Sequence, residues 1–311
     1  MKGRKYNFLI TGGCGFIGSN IAHHLIRLGH NVRIIDNLTT GRLQNIKSIL
    51  EAIDFIEGDI RDMSVIRKSV SDVDFVFHTA ALASVPESIK NPMKCLDINE
   101  KGTLNLLEGC SLEDIKRIIF SSSAAVYGDL PDLPKTEESD LKPLSPYAVS
   151  KIAGEYYCKC YYHNFGLESV ILRYFNVFGP RQLPNSDYAA VIPKFIDRVK
   201  QKKPLTVHGD GKQTRDFIFI EDIVKANMTA CFSEGIAGQI FNIASGESIE
   251  LLKLIDYIRE PDTRIFFEKP REGDIKYSSA DITKAKKHLG FEPNISLDRA
   301  ISITKDYFYN S

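Results

Sequence analysis

Phe8-Leu9-Ile10-Thr11-Gly12-Gly13-Cys14-Gly15-Phe16-Ile17-Gly18 is the stretch that decides how this chain folds. An apolar run without polar alternation reads as a strand buried on both faces, and the glycines after it permit a sharp turn into a helix. That helix is predicted from about Phe16 to Leu28, with Gly29 as its stop. Val32-Arg33-Ile34-Ile35 follows as a second strand ending on Asp36. Glycine backbone lets a pyrophosphate approach the helix N-terminus, where free N–H groups and the dipole favour an anion. Alone, a glycine trio marks only a tight turn. Asp36 adds to it, because it lies 18 residues past Gly18 at the end of the next strand. A carboxylate there accepts hydrogen bonds from an adenosine ribose and repels a 2′-phosphate. Together they predict dinucleotide binding, with NAD favoured, although Arg42 is close enough in sequence to keep NADP open.

Outward from this unit the pattern repeats. Further strands are predicted at Phe55-Ile56, Phe75-Val76-Phe77, Ile118-Ile119-Phe120 and Val170-Ile171-Leu172. Helices are predicted around Met63–Val70, Ile98–Leu107 and Tyr147–Phe165. Alternation of this kind implies an α/β fold with a doubly wound parallel sheet. After Arg173 the regularity breaks, beginning with the loop Gly179-Pro180-Arg181-Gln182-Leu183-Pro184-Asn185. Val207 to Phe219 reads as a hairpin around Gly209-Asp210-Gly211, and the tail from Ala244 reads as two short helices with charged loops. The expected division is a dinucleotide-binding domain at 1–176, with 216–243 returning to it. A smaller, irregular α/β substrate domain at 177–215 and 244–311 would cap the sheet's carboxyl edge.

Composition narrows the function classes. Among 311 residues, Lys plus Arg and Asp plus Glu each number 40, so no net field favours nucleic acid or an anionic membrane. No apolar run reaches the roughly 18 residues that a bilayer span needs. No secretory apolar segment precedes the first strand, and a cytoplasmic location is expected. The six cysteines (14, 95, 110, 158, 160 and 231) sit singly in periodic segments. Cys158 and Cys160 point to different faces of a predicted helix and chelate poorly. Reduced thiols and no metal site are expected.

Tyr147-Ala148-Val149-Ser150-Lys151 sets a phenol and an ammonium one helical turn apart on one face. A tyrosine pKa near 10 makes a poor base at neutral pH. Lowering it to about 7 takes roughly 4 kcal/mol, within reach of two close cations, the lysine and an oxidised nicotinamide, in a dry cleft. By itself the motif could equally be a chance pair on an amphipathic helix. Ser121-Ser122-Ser123-Ala124-Ala125-Val126-Tyr127-Gly128, directly after a strand, adds a hydroxyl that can bridge the tyrosine and a substrate hydroxyl.

These motifs, with Arg173-Tyr174-Phe175-Asn176-Val177-Phe178-Gly179, resemble the extended short-chain dehydrogenase/reductases, and within them the UDP-hexose 4-epimerases. The resemblance runs through essentially the whole chain, in order. It implies a Rossmann-type sheet and Ser123, Tyr147 and Lys151 as catalytic residues. It implies NAD lined by Gly12, Gly15, Phe16, Ile17, Gly18, Asp36, Asn37, Gly41, Asp59, Ile60, Ala80, Ala81, Leu82, Asn99 and Phe175, with Tyr147 and Lys151 beside it. His78 is expected to be structural. The implied chemistry removes the proton of the sugar O4 to Tyr147 as hydride leaves C4 for NAD. The 4-keto sugar then swings about its diphosphate link and is reduced on its other face. Dehydratases and decarboxylases that resemble this fold carry an acid just after the motif's hydroxyl. Ala124 and Ala125 stand there instead, so no acid protonates a leaving group and epimerisation is expected.

By the same resemblance the UDP-sugar would be held by Ser84, Ser123, Asn176, Ala190, Val191, Arg215, Arg271, Asp274 and Ser278. Tyr188-Ala189-Ala190-Val191 and Gln213-Thr214-Arg215-Asp216 look like the uridine and diphosphate contacts. Arg271-Glu272-Gly273-Asp274 resembles a second phosphate-binding arginine with a ribose-binding carboxylate. Planar guanidinium groups suit a diphosphate, and a surface ion pair is the plain alternative for each. The wording is closest to the branch acting on UDP-N-acetylglucosamine and UDP-N-acetylgalactosamine. Ser278 falls where glucose-restricted enzymes carry a tyrosine against the C2 substituent, and a one-residue shift to Tyr277 would restore that bulk. UDP-glucose/UDP-galactose conversion, alone or alongside, is the alternative. A UDP-uronic acid is disfavoured because no spare cation is assigned to a sugar carboxylate. A non-catalytic NAD(H) sensor would need the glycine loop and Asp36, but neither the Ser/Tyr/Lys set nor both arginines. A homodimer is implied through the helices near Ile98–Leu107 and Tyr147–Phe165, whose apolar faces could equally be core.

Overall fold

The computed structural model describes residues 4–184, 190–270 and 276–310. Its strands are β1 (Asn7–Thr11), β2 (Asn31–Asp36), β3 (Asp54–Glu57), β4 (Phe75–His78), β5 (Arg117–Ser123), β6 (Ser169–Tyr174), β7 (Asn176–Phe178), β8 (Leu205–His208), β9 (Thr214–Phe219), β10 (Ile240–Ile243), β11 (Ser248–Glu250) and β12 (Ile265–Glu268). Its α-helices are α1 (Phe16–Arg27), α2 (Met63–Val70), α3 (Val85–Lys90), α4 (Pro92–Leu96), α5 (Gly102–Ser111), α6 (Pro146–Phe165), α7 (Val191–Lys200), α8 (Ile220–Phe232), α9 (Leu251–Ile258), α10 (Thr283–Leu289) and α11 (Leu297–Asn310).

Seven strands form one parallel sheet in the order β3-β2-β1-β4-β5-β6-β10. Phe8, Ile10, Phe77 and Leu172 face α1 and α8 on one side. Leu9, Val76, Ile118 and Ile171 face α2, α5 and α6 on the other. Burial on both sides is why these strands are apolar without alternation. From β1 the chain adds strands first on one side and then, from β4, on the other. The crevice at that reversal, outside the carboxyl ends, is where such sheets bind ligands. The large sheet is the α/β, doubly wound architecture that the sequence predicts.

Local chemistry places the catalytic helix. The Ser145 hydroxyl accepts from the Ala148 N–H at 3.2 Å, Pro146 opens α6, and Gly166 closes it with φ 70°. This start fixes Tyr147 in the first turn and Lys151 one turn below it.

Three expectations are corrected. The hairpin over 207–219 does not exist, although strands flank its turn. β8 pairs in parallel with β12, while β9 pairs with β7 and, antiparallel, with β11. The Gly209 N–H donates to the Glu268 carbonyl at 2.9 Å, so the turn hands each strand to a different partner. The tail contains three helices rather than two, one of them the 14-residue α11. The sequence reading also lacks β10, a four-residue strand that adds to the edge of the large sheet.

Candidate active site

A cavity of about 550 Å³ lies at the sheet's reversal point. Gly12, Gly15, Phe16, Ile17, Gly18, Asp36, Asn37, Gly41, Asp59, Ile60, Ala80, Ala81 and Leu82 all line it. Glycine is required at its mouth. At Gly12, φ is +71°, and a Cβ would stand 2.8 Å from the Ala80 backbone. A Cβ on Gly18 would stand 2.5 Å from the Gly12 carbonyl oxygen, inside the turn that brings α1 close to the sheet. The Asp36 carboxylate accepts from the Cys14 N–H at 2.9 Å and the Leu38 N–H at 2.8 Å. Burial raises its pKa and the two N–H donors oppose the rise. Arg42 is exposed, does not line this cavity, and its backbone N–H goes to the Cys14 carbonyl. Asp59 is gripped by Arg61 and also accepts from Asn37. The Arg61 hydrogen bonds hold its carboxyl well below the usual carboxylate range.

Four residues grouped with the cofactor do not line this cavity. Tyr147 and Phe175 line the adjoining cavity, and Lys151 lines neither. Asn99 sits in a single π turn, Asp97–Lys101, and is 4% exposed. Its side chain accepts from the Leu82 N–H at 2.7 Å and donates to the Ser150 hydroxyl at 2.9 Å. It therefore ties the cofactor-side wall to the first turns of α6. The Ser84 hydroxyl caps α3 by accepting from the Glu87 N–H at 3.2 Å, and Ser84 faces the first cavity.

The second cavity, about 420 Å³, shares Phe16, Ile17 and Ala83 with the first. Ser123 projects from the end of β5 and Tyr147 from the start of α6, and both line this cavity. Burial raises the Tyr147 pKa and the neighbouring Ser123 hydroxyl opposes the rise, with a net rise. The Lys151 ammonium lies 5.8 Å from the Tyr147 ring centroid and donates to the Ser121 carbonyl at 2.8 Å. Burial lowers its pKa to about 8. His78 bonds Thr11 at 2.7 Å and Thr103 at 2.9 Å, and burial lowers its pKa to about 3, so it is neutral and structural.

Among the described residues lining this cavity there is no carboxylate; Ala124 and Ala125 face it where an acid would stand. Two lining cations are present, Arg215 and Lys135. Lys135 is a lining cation that no motif of the sequence assigns to the sugar. A lysine in a loop after proline reads as solvated, and only the fold reveals that it is 4% exposed. Gln182, which no sequence motif assigns to the site, also lines the cavity, and its buried Oε1 has no hydrogen-bond partner among the described residues. Ser278 and Tyr277 both line the cavity, the Ser278 N–H donating to the Thr214 carbonyl at 3.1 Å.

A third cavity, about 550 Å³, continues from Asn176, Val177 and Arg215 to Ala190, Val191, Arg198, Gln213 and Phe217. Asp216 anchors this wall: its carboxylate accepts from the Ser245 N–H at 2.8 Å, the Ser245 hydroxyl at 2.6 Å and the Gly246 N–H at 3.1 Å. Arg271, Asp274, Tyr188 and Ala189 lie outside the described residues. Three continuous cavities, with a Tyr–Ser pair where the first two meet, suit a dinucleotide at one end and a nucleotide-sugar at the other.

The model of the NAD dependent epimerase/dehydratase family matches residues 8–244. The chain belongs to this family. NAD is the cofactor, and UDP-sugar 4-epimerases are its relatives. A UDP-N-acetylglucosamine 4-epimerase from Methanobrevibacter ruminantium, solved with UDP-N-acetylmuramic acid, is 39% identical with a TM-score of 0.94, covering 99% of each chain. A UDP-glucuronic acid 4-epimerase from Bacillus cereus, solved with UDP-glucuronic acid and NAD, is 33% identical with a TM-score of 0.90, covering 98% of this chain and 99% of its own. The UDP-glucose 4-epimerase of Mycolicibacterium smegmatis is 33% identical over 97% of this chain and 98% of its own. Among the described residues, no helix is long and apolar enough to cross a membrane, and no cluster of His, Cys, Asp or Glu could hold a metal.

Proposed function

We propose that the chain inverts C4 of UDP-N-acetylglucosamine and UDP-N-acetylgalactosamine reversibly, with UDP-glucose and UDP-galactose as secondary substrates. The observation that carries this reading is that Ser123 and Tyr147 line one cavity whose described lining holds no carboxylate. When bound, NAD supplies the hydride acceptor and donor for C4 and a second positive charge near the phenol. Tyr147 takes and returns the O4 proton, and Ser123 holds the hydroxyl in line. Lys151 supplies the fixed cation that favours the phenolate. Gln182 Oε1 offers an acceptor to a sugar hydroxyl or amide N–H. Arg215 takes the diphosphate and Ala190 and Val191 the uracil side, with Arg271 and Asp274 proposed as partners from the segment outside the described residues.

Ser278 is assigned to the C2 substituent, where a small side chain leaves room for an acetamide. Ser278→Tyr would fill that room, and overpacking typically costs about 1–3 kcal/mol, roughly 5- to 150-fold. Proton NMR of wild type and variant with UDP-N-acetylglucosamine and UDP-glucose, without added cofactor, is expected to show 4-epimers from both. In the variant the kcat/KM ratio shifts toward UDP-glucose. Equal losses on both sugars would remove Ser278 from this role, and Tyr277→Ser checks the neighbouring register. No conversion of either sugar would overturn the reading itself.

We also propose a homodimer built on α5, α6 and the adjoining α3 and α4. Ile89, Met93, Val149 and Tyr156 are 60%, 72%, 48% and 62% exposed there, a cluster of apolar side chains that a second copy would cover. Sedimentation is expected to give about twice the 35.0 kDa chain mass, and a single-chain mass at micromolar concentration would exclude it.

A further inference from the structure

Lys135 is held as few surface lysines are. Its N–H donates to the Ser279 carbonyl at 2.8 Å, and its own carbonyl accepts from the Asp281 N–H at 2.8 Å and the Asn242 side-chain amide at 2.9 Å. That pins it beside Ser278 and the wall of the cavity containing Tyr147. The residue is 4% exposed, so its head does not reach out to water as a snorkelling lysine would. The ammonium donates to the Leu130 carbonyl at 2.8 Å, and no carboxylate pairs with it among the described residues. An ammonium has three N–H donors. The other two have no protein acceptor among the described residues and are left to water or to a ligand in the cavity. Burial lowers its pKa from the ordinary lysine value, with Asp132 and Asp129 opposing.

We propose that Lys135 is a specificity residue whose ammonium receives a carboxylate carried by the hexose. This rests on the reading that the cavity holds the sugar of a UDP-hexose. The acid is a second substituent, independent of the C2 acetamide assigned to Ser278. It can be the C6 carboxylate of a uronic acid or a lactyl ether at O3, and both offer the same chemistry to the ammonium. A charge-assisted bond of this kind changes affinity by roughly 10- to 150-fold.

Calorimetry on the NAD-loaded protein tests it. The ligands are UDP-glucose and UDP-glucuronic acid, then UDP-N-acetylglucosamine, its C6 acid and its O3-lactyl ether. Wild type is expected to bind at least one acid roughly 10- to 150-fold more tightly than the matched neutral sugar. The ligand that shows the gain identifies the acid's position. Lys135→Met is expected to abolish the gain and Lys135→Arg to retain part of it; thermal melts report folding. Should Lys135→Met fail to fold, Lys135→Gln gives the same reading without a charge. Equal affinities for all acid–neutral pairs in wild type overturn the proposal, as does a ratio that the uncharged variants leave within threefold. Proton NMR of the same sugars reads the other question separately. Turnover without an acid preference defeats Lys135 alone, and an acid preference without turnover defeats the epimerase reading alone.

Discussion

Tyr147→Phe is expected to lower kcat by about 10²- to 10⁴-fold, the usual effect of deleting a general acid–base group, while leaving the fold and UDP-sugar affinity nearly intact. The substitution removes one oxygen and keeps the half-buried ring beside Lys151. The catalytic loss is large because Tyr147 is the phenol that stands beside the Lys151 ammonium. Ser123 is a far weaker base, the described lining has no carboxylate, and His78, the last residue of β4, is buried with both ring nitrogens engaged. Initial rates by proton NMR beside calorimetric UDP-sugar binding separate the two effects. A variant within fivefold of wild-type turnover would mean that the proton travels by another route.

The second large effect lies behind the site. Arg173 and Glu155 form a bidentate pair, Nε to Oε1 at 2.8 Å and Nη2 to Oε2 at 2.6 Å, each side chain 2% exposed. Arg173 also donates to the Tyr127 hydroxyl at 2.9 Å, which donates to Asn242 at 2.6 Å, and the Ser122 hydroxyl donates to Glu155 at 2.5 Å. One network therefore joins β5, α6, β6 and β10 beneath Ser123. Arg173→Met leaves the Glu155 carboxylate buried with only Ser122 to answer it, and should cost about 3–5 kcal/mol of stability. Replacing both partners removes the stranded charge, so Arg173→Met with Glu155→Leu should recover much of that loss. Urea midpoints of the single and double variants decide this. A double variant as unstable as the sum of its singles would show that the pair itself, rather than an orphaned charge, is what matters.

How much can be read beforehand depends on how far each signal reaches along the chain. The glycine turn, α1, β2 and Asp36 are legible because each is specified within a few residues: an apolar run, a stop glycine, a carboxylate at a strand end. The start of α6 is equally local, since Ser145 and Pro146 set the phase that puts Tyr147 and Lys151 on one face. The misread elements depend on distant partners. β8 and β9 flank a glycine turn that would suit a hairpin, and only β12, β7 and β11 reveal that each strand is claimed elsewhere. β10 is four residues, three of them apolar, a length that cannot distinguish a strand from the edge of a helix. Lys135 and Gln182 lie in loops whose burial is created by residues remote in sequence. Asn99 groups with the cofactor by resemblance, yet the fold gives its side chain to Leu82 and Ser150.

β10 also decides when the molecule can finish folding. It neighbours β6 in the sheet, but β7, β8, β9 and α8 are all synthesised between them. A nascent chain leaves the ribosome N-terminus first. Until Ile243 has emerged, β6 presents a bare row of backbone donors and acceptors, a template for the wrong strand. Over the same interval Arg117 lacks the Ala230 and Ser233 carbonyls that it donates to at 2.8 and 2.6 Å, and Tyr127 lacks Asn242. The seven-stranded sheet therefore cannot be completed before β7 to α8 have been made. Its last edge closes through a non-local pairing, which is intrinsically slow. The unfinished sheet is the species most exposed to aggregation and to capture by a chaperone.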